Sequence, residues 1–284
     1  MPPGVVVEVG SVVMDAADAI TVRRLGLSGR AVLVLHGGPG APGSARGLAR
    51  MLSERFTVLE PLQRRSGGVP LTVEQHVEDL VAVAPSPALV VGHSWGAMLG
   101  LSFAARYPAA VSRLALVGCG TYDEATRAGM RDAIKERLGP EGRRRVAELE
   151  AQLAGSATPA EREAALQQLG DLHSELETLA PFEDDPEPSE QLPVDPAGHT
   201  ETWNDVLRLQ REGVEPRIFS QIRAPVLMIH GDYDPHPGSA TRDLLRAYVP
   251  NLEYLNLERC GHEPWREQHA REAFVAALCE WLER

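Results

Sequence analysis

Short apolar runs recur along this chain, separated by polar and amphipathic stretches. Ala31-Val32-Leu33-Val34-Leu35, Ala88-Leu89-Val90-Val91 and Pro225-Val226-Leu227-Met228-Ile229 are the clearest. Continuous runs of this length, without polar alternation, fit strands buried on both faces. The pattern predicts strands over 4–9, 19–27, 30–35, 56–60, 87–92, 111–118, 224–230 and 252–257. It predicts helices over 44–54, 72–84, 95–106, 239–248 and 265–282. Alternation of the two predicts an α/β architecture, with a mostly parallel eight-stranded sheet and helices on both faces. The first two strands are expected to pair as an antiparallel hairpin at one edge.

Residues 121–220 break that rhythm. They hold no buried strand pattern, only amphipathic helical ones such as Val146 to Leu153 and Ala165 to Leu169. Thr158-Pro159-Ala160-Glu161 has the composition of a helix start, with Pro at the first helical position and Glu in the first turn. Prolines at 181, 186, 188, 193 and 196 predict an irregular loop. The expected organisation is a core of residues 1–120 and 221–284 with an inserted helical segment, 121–220. That segment carries 22 Asp and Glu against 11 Arg and Lys, nearly all of the chain's net charge of −12. It reads either as a solvated acidic surface or as a vestibule for cationic substrates, such as a peptide's free amino terminus. Glu183, Asp184, Asp185, Glu187, Glu201 and Asp205 are the candidate carboxylates for the second reading.

A chain of 284 residues can bury a substantial core. Its acidity argues against nucleic acid, whose phosphates want Lys and Arg. The first residues lack a basic region and a cleavage site, so no signal peptide is expected. No apolar run approaches the roughly 18 residues of a membrane span. Three cysteines, Cys119, Cys260 and Cys279, are few and odd in number, which suggests reduced thiols in a cytoplasm.

The candidate chemistry sits where predicted strands end. Gly92-His93-Ser94-Trp95-Gly96 follows one strand and opens a small-residue helix. Strand, G-x-S-x-G, helix is the setting in which the Ser stands on a strained turn with its hydroxyl exposed. His36-Gly37-Gly38-Pro39-Gly40 follows another strand, and its glycines let backbone N–H groups approach a ligand. Gly231-Asp232-Tyr233-Asp234 and Gly261-His262 follow two more. Ligands in open α/β sheets bind at that edge, and the chain order is Ser, Asp, His.

These motifs resemble the α/β-hydrolase superfamily, and the pairing of His-Gly-Gly-Pro-Gly with Gly-His-Ser-Trp-Gly resembles its proline-iminopeptidase-related branch. Pro70 to Leu80 is similar to that branch too. The resemblance covers residues 1 to about 119 and about 221 to 284. It implies Ser94 as nucleophile, Asp234 as acid and His262 as base. It implies an oxyanion hole from the N–H groups of Trp95 and Gly38, with Gly37 as the neighbouring alternative, and a cap over the site from residues 121–220. Two departures stand out. The insertion has a single Trp, Trp203, placed late beside Glu201, instead of an early Trp-rich segment. The loop after the fourth strand reads Glu60-Pro61-Leu62-Gln63-Arg64-Arg65-Ser66-Gly67-Gly68 where relatives often carry Asp-Gln-Arg-Gly-x-Gly-x-Ser. Gly37, Trp203 and Glu201 are the candidate substrate contacts.

Rival readings are weaker on their own terms. Asp232 is the rival acid, and Cys260 a rival nucleophile without an elbow around it. His230-x-Asp232-x-Asp234-x-His236 has metal-site spacing, but Gly-Asp and Asp-Pro steps make it a loop, where residues do not share a face. The Gly37 to Gly43 loop lacks the Gly-Lys-Ser/Thr ending of a P-loop. A dehalogenase or epoxide hydrolase would need Asp where Ser94 stands. The expected function is that of a cofactor-independent serine hydrolase acting on small carboxylic esters. N-terminal amides come next, carbon–carbon bond hydrolysis third, and a non-catalytic binding protein on this fold is the alternative from another class. The expected partner is a small-molecule or short-peptide substrate, with neither membrane nor nucleic acid.

Overall fold

The computed structural model describes residues 8–12, 20–155, 158–182 and 192–284. Its eight strands are β1 (Glu8–Val12), β2 (Val22–Leu25), β3 (Ala31–Leu35), β4 (Thr57–Pro61), β5 (Ala88–His93), β6 (Val111–Val117), β7 (Val226–Gly231) and β8 (Glu253–Leu257). They form one sheet in the order β1-β2-β4-β3-β5-β6-β7-β8. β1 and β2 pair antiparallel, as do β2 and β4, and every later pair is parallel. The edge hairpin and the mostly parallel sheet are as the sequence pattern predicts. β1 is described from Glu8 on, and positions 4–7 of the expected strand lie outside the described residues.

Alternate side chains of each central strand point to opposite faces, and both faces are covered. Leu33, Leu35, Val90, Leu114, Leu116 and Met228 pack on one side against α2 (Val73–Val83), α3 (Trp95–Arg106) and α7 (Gly238–Arg246). Val32, Val34, Val91, Val117 and Ile229 pack on the other against α1 (Arg46–Ser53) and α8 (Arg271–Glu283). This two-sided burial is why the sequence shows apolar runs instead of alternation. The helix expected over 265–282 divides into a 3-10 turn at Pro264–Arg266 and α8.

Between β6 and β7 run α4 (Glu124–Ala154), α5 (Pro159–Glu177) and α6 (Pro196–Arg211). α4 breaks at Gly139-Pro140, where Gly139 takes a φ of 61° and Pro140 cannot donate to the helix. α5 opens on a capping box between Thr158 and Glu161. Leu149, Ala165 and Leu169 join α4 to α5 in a small cluster of their own. α6 starts at the last of the five prolines, with Asp195 accepting from Gly198 N–H as its cap. Among the described residues, no helix is long and apolar enough to cross a membrane.

Candidate active site

Ser94 stands between the end of β5 and the start of α3 with φ 53° and ψ −117°, a conformation that costs a non-glycine residue about 1–3 kcal/mol. The surrounding contacts hold it there. Its N–H donates to Val117 O at 2.9 Å, and its carbonyl accepts from Ala97 N–H at 3.0 Å. A Cβ on Gly92 would run into the Gly96 carbonyl, and one on Gly96 into the Leu35 carbonyl, so the turn can close only with glycine at both places. Ser94 is partly exposed while its neighbours His93 and Trp95 are buried. Trp95 N–H, first in α3, has no acceptor within the helix.

The loops that carry Asp234 and His262 meet after β7 and β8. His262 Nδ1–H donates to Asp234 Oδ2 at 2.6 Å, and both side chains are buried. Burial alone would raise the Asp234 carboxyl, but the imidazoles of His262, His236 and His230 outweigh it and hold the carboxyl well below its usual range. Burial likewise works against a charged His262. The Asp234 carboxylate, with Glu177 and Glu263 adding to it, pushes His262 above its ordinary value instead. The rival acid, Asp232, is exposed and accepts from Cys260 N–H at 3.2 Å. Asp234 is thus the carboxylate brought to the imidazole. Gly118, at the end of β6, makes room for the ring: a Cβ there would lie 2.8 Å from His262 Nδ1.

The glycine loop faces the Ser94 turn. A Cβ on Gly37 would lie 3.2 Å from that of Ser94, and Gly38 has a φ of 45°. His36 donates from Nδ1 to Gly37 O at 2.9 Å and accepts at Nε2 from Gln63 N–H at 3.2 Å. Gln63 belongs to the loop that departs from the relatives' pattern, and it also accepts from the Trp95 indole. Asp195 fastens this region to α6: its N–H donates to Gly40 O at 2.7 Å, and its carboxylate accepts from Ser66 N–H and Oγ–H.

The inserted segment touches both of the loops that carry Asp234 and His262. Arg137 of α4 donates to Tyr233 O at 2.6 Å, one residue before Asp234. His262 N–H donates to Glu177 O, at the end of α5, at 2.9 Å. The buried Glu267 carboxylate accepts from Leu179, Ala180 and Gly261 N–H groups, each at 2.8 Å.

The expected substrate contacts fare differently. Glu201 accepts from Leu71 N–H at 3.1 Å, and buried Asp205 accepts from Val73 N–H at 2.9 Å while pairing with Arg208. Both serve the start of α2. Trp203 packs, partly buried, against the apolar layer that contains Trp95 and Met98. Glu183, Asp184, Asp185 and Glu187 lie outside the described residues. Cys260 is buried and donates from Sγ to Gly261 O, and burial pushes its thiol far up, away from a reactive thiolate. Asp234, His236 and His262 bring donor atoms within 4.8 Å of one another, a spacing that a cation could bridge. Both Nδ1 atoms, however, are engaged with the Asp234 carboxylate. Sequence reasoning overlooked Gly118 and Glu267, and it singled out the loop of Gln63 without giving Gln63 a contact; the Gly-Cys-Gly run at 118–120 was the local signal for Gly118.

Residues 80–265 match the family described as the α/β hydrolase fold, and the chain belongs to that family. A cis-3-alkyl-4-alkyloxetan-2-one decarboxylase of Shewanella oneidensis is 28% identical over 107 residues, 33% of this chain. That match spans about a third of the relative's length, 34%. The structure of E-2-(acetamidomethylene)succinate hydrolase is similar with a TM-score of 0.62 and 19% identity, over 93% of this chain and 95% of that one. Proline iminopeptidase of Mycobacterium smegmatis is similar with a TM-score of 0.58 and 20% identity, over 96% and 98%. At these identities the likeness is one of fold.

Proposed function

We propose that this protein is a serine hydrolase that cleaves small carboxylic esters through an acyl-enzyme, with Ser94 as nucleophile, His262 as base and Asp234 as acid. The observation that carries this reading is the strained, partly exposed Ser94 after β5, with a buried 2.6 Å Asp234–His262 pair in the loops after β7 and β8, at the same edge of the sheet. A serine hydroxyl needs such a base, and the base an orienting carboxylate. His262 takes the proton as Ser94 Oγ bonds to the acyl carbon, then gives it to the departing alcohol. Water attacks the acyl-enzyme by the same route, releasing the acid and restoring the serine. Asp234 holds the Nδ1–H tautomer and stabilises the imidazolium. Trp95 and Gly38 N–H groups receive the oxyanion; one such donor is worth about 100- to 1,000-fold in rate.

The aminopeptidase reading has less support, because Glu201 and Asp205 are engaged with backbone N–H groups instead of being free for a substrate amine. The test is a paired assay of p-nitrophenyl acetate and butyrate against prolyl- and alanyl-p-nitroanilide, with wild type and Ser94→Ala. Ester cleavage lost in Ser94→Ala, without anilide cleavage, is expected. Anilide cleavage would favour the aminopeptidase, and ester turnover surviving in Ser94→Ala would remove the nucleophile.

A further inference from the structure

A carboxylate that holds one imidazole through one oxygen can still rotate about its own bond. Asp234 cannot, because each of its oxygens is engaged. Oδ2 accepts from His262 at 2.6 Å and lies 3.1 Å from His230 Nε2. Oδ1 accepts twice from His236, from the backbone N–H at 2.9 Å and from ring Nδ1–H at 2.8 Å. The His236 ring then lies over that of His262, with centroids 4.5 Å apart and planes 17° from parallel. One residue thus fixes the acid through its free oxygen and the base through its ring face.

We infer that His236 is a positioning residue that sets both the orientation and the basicity of His262. The kinetic part of this inference rests on the serine-hydrolase reading; the titration part does not. Two imidazoles share one carboxylate, so what one ring draws from it changes what it offers the other. A proton on His236 places like charge 4.5 Å from His262 and opposes a proton there. A neutral His236 still draws on Oδ1 and leaves Oδ2 a weaker acceptor. Both effects oppose the rise that Asp234 gives His262. His236 is the more accessible ring, with 13% of its side chain exposed against 5% for His262. Among the described residues, the other titratable groups around the array include His230 on β7, His93 at the end of β5, Glu177 at the end of α5 and Glu263 beside the base, with Cys119, Tyr254 and Cys260 facing the Asp234 carboxylate.

The test is a nitrogen-15 NMR titration of the His262 imidazole in wild type, His236→Phe and His236→Asn, beside the pH profile of ester turnover. Phe keeps a stacking face without donor or charge, and Asn keeps a donor without ring or charge. We expect His262 to titrate about one unit higher in His236→Phe, with a smaller rise in His236→Asn. The acid limb of kcat/KM should move up with it while KM stays near wild type. A merely structural role would lower the plateau and leave both titration and limb in place, which would overturn the inference. Should His236→Phe not fold, an unchanged His262 titration in His236→Asn would overturn it equally. A shifted titration in a protein with no Ser94-dependent turnover would sink the hydrolase reading and leave this one standing.

Discussion

The Trp95 indole donates to Gln63 Oε1 at 2.8 Å, joining the Ser94 turn to the loop after β4. Gln63 also reaches His36 twice, through its backbone N–H and through its side-chain amide to the His36 carbonyl. Both segments expected to supply oxyanion donors, Gly38 beyond His36 and Trp95 itself, are therefore registered against one glutamine.

Replacing Gln63 with Leu would leave a buried indole N–H without its acceptor, at a cost of about 1–3 kcal/mol. Displaced donors would also lower kcat, by up to about 100-fold for a shift of 1 Å. Trp95→Phe removes the orphaned donor, so the double variant should be less destabilised than the two single losses added together. Urea unfolding of the four proteins measures this, and simple additivity would show that the bond does not couple the two residues.

The acid assignment separates two aspartates two residues apart. Asp234→Asn should lower kcat/KM by about 10,000-fold, because an amide cannot hold the required tautomer or stabilise the imidazolium. Asp232→Asn keeps an oxygen for Cys260 N–H and should leave the rate within a few-fold of wild type. Steady-state kinetics on p-nitrophenyl butyrate would show the reverse ranking if Asp232 were the acid.

How much of this was legible in the sequence depends on distance along the chain. The elbow could be read because its demands are local: Gly92, Ser94 and Gly96 satisfy steric conditions within five residues. The central strands could be read because Ala31–Leu35 and its counterparts are covered on both faces. Gln63 on Trp95 and Glu267 on Leu179 could not, since they join residues 32 and 88 positions apart and leave no periodic trace. Acidic residues of the insertion were ambiguous for the same reason. Nothing near Asp205 announces that its partner is the N–H of Val73, 132 positions earlier.

That partner changes what neutralising the insertion should do. Asp205 acts as a cap brought from another element to the start of α2, and losing such a group costs about 1 kcal/mol, up to about 2. Asp205→Ala should therefore lower the urea midpoint of unfolding. Glu201→Gln keeps an oxygen for Leu71 N–H and should be nearly neutral. Neither should raise KM for an amine substrate selectively over a neutral ester. A selective rise in either variant would restore the vestibule reading.

Stability should fall on the acid side of neutrality because several histidines are buried in their neutral form. Burial pulls His36 and His76 down to about 4, and His93 well below its ordinary value. Between about 6.5 and 4 the unfolded chain carries protons that these folded sites refuse, so stability is lost as pH falls through that window. At 1.36 kcal/mol per unit, His36 and His76 each account for about 3 kcal/mol. His262 acts elsewhere: its folded value is raised, so its contribution is complete below 6.5 and is lost only as pH rises through the raised value. Asp234 is lowered, so its contribution is complete above the ordinary carboxyl range and is lost only at more acid pH. His76 offers the cleanest test, since Nε2 bonds Thr202 Oγ1 at 2.9 Å and a glutamine amide can stand in for that nitrogen. His76→Gln should narrow the gap in unfolding free energy between pH 8 and pH 5 by about 2 kcal/mol, since pH 5 lies only 1.5 units below the ordinary value, whatever it costs at pH 8. An unchanged gap would mean that the folded protein admits a proton at His76 as readily as the unfolded chain does.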